Sequence, residues 1–346
     1  MSRLCYSLFV LCLAATITAC SGSSNAPTTG PITVQIADDP VDPAVIHEIC
    51  IPFTGITVHY AGDDDVYLPY DPLPTQVSPV THCTAGWNGE DPVPPVRLDA
   101  LNGGVTTALV DSQQIGIGRI TWIRLHFANS AYLFETAGGQ YPIYCPSCEI
   151  TDNNAGRGFK LNRTFEVTAN GLALLIDIDL RASMRKNIDG YFLRPTARVE
   201  LNDEIGTISG DVHADLIASL GGTSHSGSDE TDTGCAVYVF PGDDSDLDDY
   251  HYNDEPGTVP TNVITAATVR YNGGELPYNY SYAAGGLPGG ANGAAATYRV
   301  ALTCDNDDPE INDNPADTED GDDVSFTMAE TVEVFAGQTG TFDFSP

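Results

Sequence analysis

Leu172-Ala-Leu-Leu-Ile-Asp-Ile-Asp-Leu180 decides the fold. From Ile176 onward apolar and acidic residues alternate, so on a strand Ile176, Ile178 and Leu180 share one face while Asp177 and Asp179 share the other. Runs of the same β type recur at residues 32–36, 55–60, 119–127, 158–167 and 191–201, separated by clusters of Gly, Pro, Asn and Asp. A second series occupies 207–216, 235–240, 262–271, 297–303, 324–327 and 331–344. Helical periodicity is sparse: residues 44–49 are too few to sustain a helix, and 181–188 allow at most two turns before Gly190. The expected fold is all-β, two β-sandwich domains in tandem behind a cleaved lipoprotein signal peptide.

Composition agrees with that expectation. The chain of 346 residues carries 34 Gly, 23 Pro and only 3 Met, which suits a turn-rich folded protein better than a helical bundle or a disordered chain. Its 48 Asp and Glu against 14 Lys and Arg give a formal charge of −34, which argues against nucleic acid as a partner. The acids are unevenly spread: residues 204–346 hold 27 acids and two bases, Arg270 and Arg299. A boundary near Asp203–Gly206 separates a domain at 31–203 from an acidic one at 204–346.

The first residues stand outside the fold. Residues 1–19 have a basic start at Arg3, an apolar stretch from Leu4 through Ala15 and small residues before Cys20, the layout of a secretory signal. Ile17-Thr-Ala-Cys20 resembles the bacterial lipobox, with Ile17 a departure from the usual Leu. The resemblance implies acylation of Cys20, cleavage before it and anchoring to a membrane; Ser21 in place of Asp implies the outer membrane. Residues 20–30 then form a lipidated polar tether.

Six cysteines remain once Cys5, Cys12 and Cys20 are set aside, and an even number in an exported chain reads as disulfides. Cys145 and Cys148 form a local pair, Cys235 and Cys304 are alone in the second half, and Cys50 is left with Cys83. A redox or zinc role for Cys145-Pro-Ser-Cys148 is the rival reading, but its loop-like surroundings and the lack of a second such pair favour a staple.

An ordered series of motifs carries a family resemblance: Ile32-Thr-Val-Gln-Ile-Ala-Asp-Asp-Pro-Val-Asp42, Phe53-Thr-Gly-Ile-Thr-Val58, Val96-Arg-Leu-Asp-Ala-Leu101, Arg119-Ile-Thr-Trp-Ile-Arg-Leu125, Gly158-Phe-Lys-Leu161, Leu175-Ile-Asp-Ile-Asp-Leu180 and Gly190-Tyr-Phe-Leu-Arg-Pro195. Over residues 30–203 the chain resembles domain of unknown function 4382, which implies a secreted or lipid-anchored bacterial β-sandwich without an assigned activity. The cysteines and loops around Cys83 and Cys145 depart from that pattern. In the second half, Gly206-Thr-Ile-Ser-Gly-Asp-Val212, Cys235-Ala-Val-Tyr-Val-Phe-Pro-Gly242 and Ala296-Thr-Tyr-Arg-Val-Ala-Leu-Thr-Cys304 resemble the transthyretin or carboxypeptidase-regulatory type of β-sandwich.

Three constellations could carry chemistry. Asp177 and Asp179 would suit acid–base or metal work, as in a metal-dependent hydrolase; the rival reading pairs them with Arg124, Arg181 or Arg198 on a polar sheet face. Seven of the 13 residues from Asp243 to Glu255 are acidic, as are ten of the 19 from Asp305 to Asp323. If a Cys235–Cys304 bond brought both runs to one end of the domain, Asp243, Asp244, Asp246, Asp305, Asp307, Asp308, Asp320 and Asp322 could hold Ca²⁺, as in a calcium-stabilised adhesion or carbohydrate-binding protein. Neither run has EF-hand spacing, and solvated loops are the competing reading. Tyr278, Tyr280 and Tyr282 alternate and could stack on a sugar or a partner chain, or pack as an ordinary sheet face. The seven histidines are scattered, with no HExxH, GxSxG or phosphate loop. The functional expectation is therefore a lipid-anchored envelope protein that binds or scaffolds, through an envelope protein or glycan partner, rather than an enzyme.

Overall fold

The structure is a computed structural model that describes residues 28–39, 46–62, 64–70, 83, 95–101, 103–127, 131–135, 138–146, 148, 158–187, 190–224, 232–244, 247, 263–305 and 324–346. Cys20, with the signal and tether expected around it, lies outside the described residues. The chain is all-β: two short α-helices, Leu180–Ser183 and Ala214–Ser219, stand among the described strands.

Residues Leu172–Asp179 form a strand at the centre of a four-stranded sheet. Its order is Thr196–Leu201, Leu172–Asp179, Thr29–Asp39, Thr107–Gly116. The two central strands run parallel, Ile32 opposite Leu172 and Ile36 opposite Ile176, so Ile32, Val34 and Ile36 align with Leu172, Leu174, Ile176 and Ile178 on one buried face. A second sheet, ordered Phe159–Leu161, Gly118–Phe127, Phe53–Tyr60, Asp65–Pro69, supplies Ile56, Val58, Ile123 and Leu125 to the same core. Each such side chain taken from water contributes about 1.5–3 kcal/mol, which makes this apolar face the main force holding the layers together.

A third sheet lies beside this sandwich. It runs Met184–Asn187, Gly190–Leu193, Gln140–Tyr144, Tyr132–Glu135, Ile46–Ile51 and Val96–Arg97, and carries the disulfides Cys50–Cys83 and Cys145–Cys148 at its margins. The extra cysteines thus belong to a layer that a plain two-sheet sandwich lacks. Residues 181–188, read as up to two helical turns, instead give one turn and then the Met184–Asn187 strand, which pairs with Gly190–Leu193.

Glu135 anchors that sheet from Tyr132–Glu135. Lys186 Nζ donates to its Oε1 at 2.7 Å and Tyr191 Oη at 2.5 Å, and these bonds hold the Glu135 carboxyl below its ordinary range. Burial, reinforced by the bond to Glu135, pushes the Tyr191 phenol up to about 12. A carboxylate whose folded pKa is depressed contributes stability above its unfolded pKa and loses it as pH falls through the folded value. Glu135→Gln should therefore be less stable than the parent at neutral pH, and the gap should close on acidification below about pH 4; chemical denaturation across that range measures it.

The described residues of the second half form a seven-stranded sheet, ordered Thr327–Val334, Ala296–Thr303, Asp232–Pro241, Thr265–Tyr271, Tyr280–Pro288, Ile205–Val212, Thr339–Thr341. Only residues 335–338 join its two edge strands, so the sheet curls until the edges meet. Val237, Val239, Val300 and Leu302 fill the inside, while Tyr238 and Phe240 point outward and are buried beneath Phe326, Val263 and Leu247. The Cys235–Phe240 run is apolar at every position because both of its faces are covered. Residues 213–216, read with the preceding strand, instead open a helix, where His213 Nδ1 accepts the Asp215 N–H at 3.1 Å as its cap.

Candidate functional site

Alternation places Asp177 on the face opposite Ile176 and Ile178, turned away from the first core. It is nonetheless only 5% exposed, because the second half packs over that face. Arg198 stands directly opposite Asp177 on the neighbouring strand, and its Nε donates to Asp177 Oδ2 at 2.9 Å with Nη2 on the same oxygen. The same guanidinium reaches across the junction, Nη1 to the Ile264 carbonyl at 3.2 Å and Nη2 to the Gly285 carbonyl at 3.4 Å. One arginine thus ties the central sheet of the first half to two backbone carbonyls of the second.

Glycines let the two backbones approach. A Cβ on Gly285 would lie 3.0 Å from the Gly104 Cα, and one on Gly286, whose φ is +67°, would lie 3.2 Å from Asp177 Oδ2. Around this contact remains a cavity of about 250 Å³, lined by Ala37, Leu175, Asp177, Thr265, Gly286 and Thr339 among others. Asp179 does not reach it: the strand ends there in the Leu180–Ser183 turn, where Ser183 Oγ donates to the Asp179 carbonyl. The two carboxylates share a strand face but not a site. Within the described lining Asp177 is thus held as an ion pair by Arg198.

The tyrosine trio separates in the same way. Tyr280 and Tyr282 are 2% and 4% exposed and belong to the second core, with Tyr282 Oη donating to the Phe342 carbonyl at 2.9 Å. Tyr278 precedes the strand, is 37% exposed and meets His213 edge-on at 5.2 Å. A stacking row of three is therefore corrected to one surface ring and two core rings, because period-two alternation gives the residues a common face and here that face is the inner one.

The acidic runs do not start together. The Cys235–Cys304 bond is present, but the strands it joins are antiparallel, with Ala236 opposite Thr303 and Pro241 opposite Tyr298. Asp243 and Asp244 therefore leave one end of the pair and Asp305 the other, roughly 17 Å apart at about 3.4 Å per residue. The bond ties the start of one strand to the end of its antiparallel partner, so Asp243 and Asp305, where the two runs begin, lie toward opposite ends of the strand pair. Asp305 Oδ2 accepts the Ser325 N–H at 2.8 Å, fastening the two ends of the second run, and the Asp244 backbone carbonyl, not its carboxylate, accepts Arg299 Nη1 at 2.7 Å. Asp246, Asp307, Asp308, Asp320 and Asp322 lie outside the described residues. The thermal midpoint in millimolar Ca²⁺ should match that in NaCl of equal ionic strength; a higher midpoint in Ca²⁺ would reinstate a shared cation site.

Sequence reasoning missed one buried charge cluster. Glu48 is 2% exposed; its Oε2 accepts the Cys83 N–H at 3.1 Å and its Oε1 lies 3.2 Å from Arg97 Nη1. Arg97 Nε also donates to Asp99 Oδ2 at 2.9 Å, while Asp99 Oδ1 accepts the Ile49 N–H at 2.7 Å. Burial pushes the Asp99 carboxyl up even though Arg97 draws it down. Glu48, Cys50 and Cys83 cluster closely enough for a metal, but both sulfurs are joined in the disulfide, so the cluster fastens the Cys83 segment instead. Arg97 within Val96–Leu101 was the available signal, a lone base in an otherwise buried run.

Fold and site together define an all-β, disulfide-stapled protein in which Arg198 joins Asp177 to the Ile264 and Gly285 carbonyls. Residues 29–195 match the family model described as Domain of unknown function (DUF4382). The match ends before the second half, where the transthyretin-type resemblance gains no support. No curated protein matches the sequence. Among solved structures, a Bacteroides fragilis protein provisionally described as a cell adhesion protein is similar at 9% identity, over 90% of this chain and 92% of that one, with a TM-score of 0.19. The major pilin of Streptococcus pyogenes is similar at 12% identity, over 91% of this chain and 97% of that one, with a TM-score of 0.14.

Proposed function

We propose that the protein is a lipid-anchored component of the bacterial cell envelope, acting as a binding or scaffold module rather than as an enzyme. The observation that carries this reading is the use of Asp177: the carboxylate best placed for chemistry is held by Arg198, which directs its remaining donors to the second half. A joint of that kind suits a protein that presents surfaces in a fixed relation. Anchoring rests on Ile17-Thr-Ala-Cys20, since three acyl chains at about 0.8 kcal/mol per buried CH₂ hold a protein durably at a membrane.

Cells grown with radiolabelled palmitate test the anchor, and cross-linking in the same cells tests the scaffold. The native chain should take up label, sediment with the outer membrane and give a discrete adduct with an envelope component, whereas Cys20→Ala should lose label and sedimentation. Equal sedimentation of the two, or a native chain that takes up no label, would contradict the anchor; absence of any adduct would contradict the scaffold.

A further inference from the structure

The outer face of the Phe159–Leu161, Gly118–Phe127, Phe53–Tyr60, Asp65–Pro69 sheet breaks two rules at once. Lys160 and Arg124 are directly opposite each other in register, and like charges in that position repel. In a chain with 48 acids and 14 bases, neither has a carboxylate partner among the described residues, whereas Arg97, Arg163, Lys186 and Arg198 all do. Arg124 Nε is moreover buried with no acceptor. An uncompensated pair of cations, retained where acids are abundant, marks a place that an anion is meant to fill.

The neighbours hold this pair in position. Lys160 Nζ lies 4.5 Å and Arg124 Cζ 4.9 Å from the centre of the Trp122 ring, which stacks on His59 at 4.5 Å and an interplanar angle of 10°. The ring quadrupole attracts both cations and so keeps them side by side. The carboxylate bonded to His59, that of Asp65 at 2.6 Å, belongs to the strand on the far side of His59 from Trp122.

The same row continues into a flat ring. Thr57 stands opposite both Arg124 and Tyr67, and Tyr67 is 51% exposed. Gly55, having no side chain, leaves room for the Tyr67 ring to lie across the sheet: a Cβ there would be 2.6 Å from the phenol oxygen, which donates to the Thr54 carbonyl at 2.6 Å. His126 supports the ring from its edge at 5.5 Å. Two strand spacings separate the arginine and tyrosine strands, about 10 Å, the reach of a short oligosaccharide.

We propose that this face binds an acidic saccharide, one sugar ring lying on Tyr67 and a carboxylate or sulfate of the same chain between Arg124 and Lys160. The proposal rests on the binding reading above only in taking the protein to bind, and it names a face apart from the Asp177 junction. It is tested by calorimetric titration of the full chain, purified from membranes in neutral detergent, with polygalacturonate oligosaccharides, dextran sulfate and neutral dextran. The expected result is binding to a charged probe that weakens with salt, little binding to neutral dextran, and at least a tenfold loss of affinity in Lys160→Gln and in Tyr67→Ala. Lys160→Gln should leave the thermal midpoint unchanged, because relief of the Arg124 repulsion offsets the lost contact with Trp122. Preference for dextran sulfate over the uronate probe supports the proposal with sulfate as the recognised group. Failure to bind either charged probe, equal binding of neutral dextran, or full affinity in both variants would overturn it, while the anchored-scaffold reading would still stand or fall by the Cys20 fractionation.

Discussion

Arg198→Met should lower the stability of the folded chain by about 3 kcal/mol, read from the denaturant midpoint at constant slope. Removing one partner of a buried ion pair strands the other charge, and Asp177 is only 5% exposed. The expected loss stands at the low end for such pairs because the Arg198 side chain keeps 21% of its surface. The variant also forfeits the bonds to the Ile264 and Gly285 carbonyls, so amide exchange on the strands beginning at Thr265 and ending at Pro288 should accelerate. Unchanged stability with unchanged exchange would mean that the two halves need no electrostatic fastening.

Loss of the Cys235–Cys304 bond should cost still more. It closes a loop of 69 residues, for which the chain-entropy account gives about 4 kcal/mol. That loop contains the Thr265–Tyr271 and Tyr280–Pro288 strands and spans the first acidic run, whose repulsion expands the unfolded chain once the constraint is gone. Paired Cys235→Ala and Cys304→Ala substitution, compared with the oxidised parent in urea, measures the loss. The local Cys145–Cys148 bond, with a sequence separation of only 3, should contribute much less by the same reasoning.

Much of the fold was legible because alternation is local. Ile32, Val34 and Ile36, like Ile176 and Ile178, reveal both a strand and its inward face from neighbours two residues away. The cysteine pairs were legible because one pair is adjacent and another is isolated in its half. Alternation does not reveal which segment lies across a face. The parallel pairing of Ile32 with Leu172 joins segments 140 residues apart, and no local pattern encodes it. Asp177 reads as a solvent-facing carboxylate until the second half is laid over it, and Tyr280 and Tyr282 read equally well as outer or inner rings. The expectation that the acidic runs begin near one end failed on strand direction, which a disulfide does not specify. Arg124 was weighed only as a partner for Asp177 or Asp179; its pairing with Lys160 escaped notice because that register is set by two separate strands.

The central claim is that Asp177 and Arg198 act as one structural unit at the junction. A double-mutant cycle with Asp177→Asn, Arg198→Met and both together tests it most directly. The predicted result is strong non-additivity: the double variant should be more stable than the sum of the single losses implies by at least about 1 kcal/mol, since neither charge is left stranded. Additive losses would contradict the claim and return Asp177 to the pool of carboxylates available for chemistry.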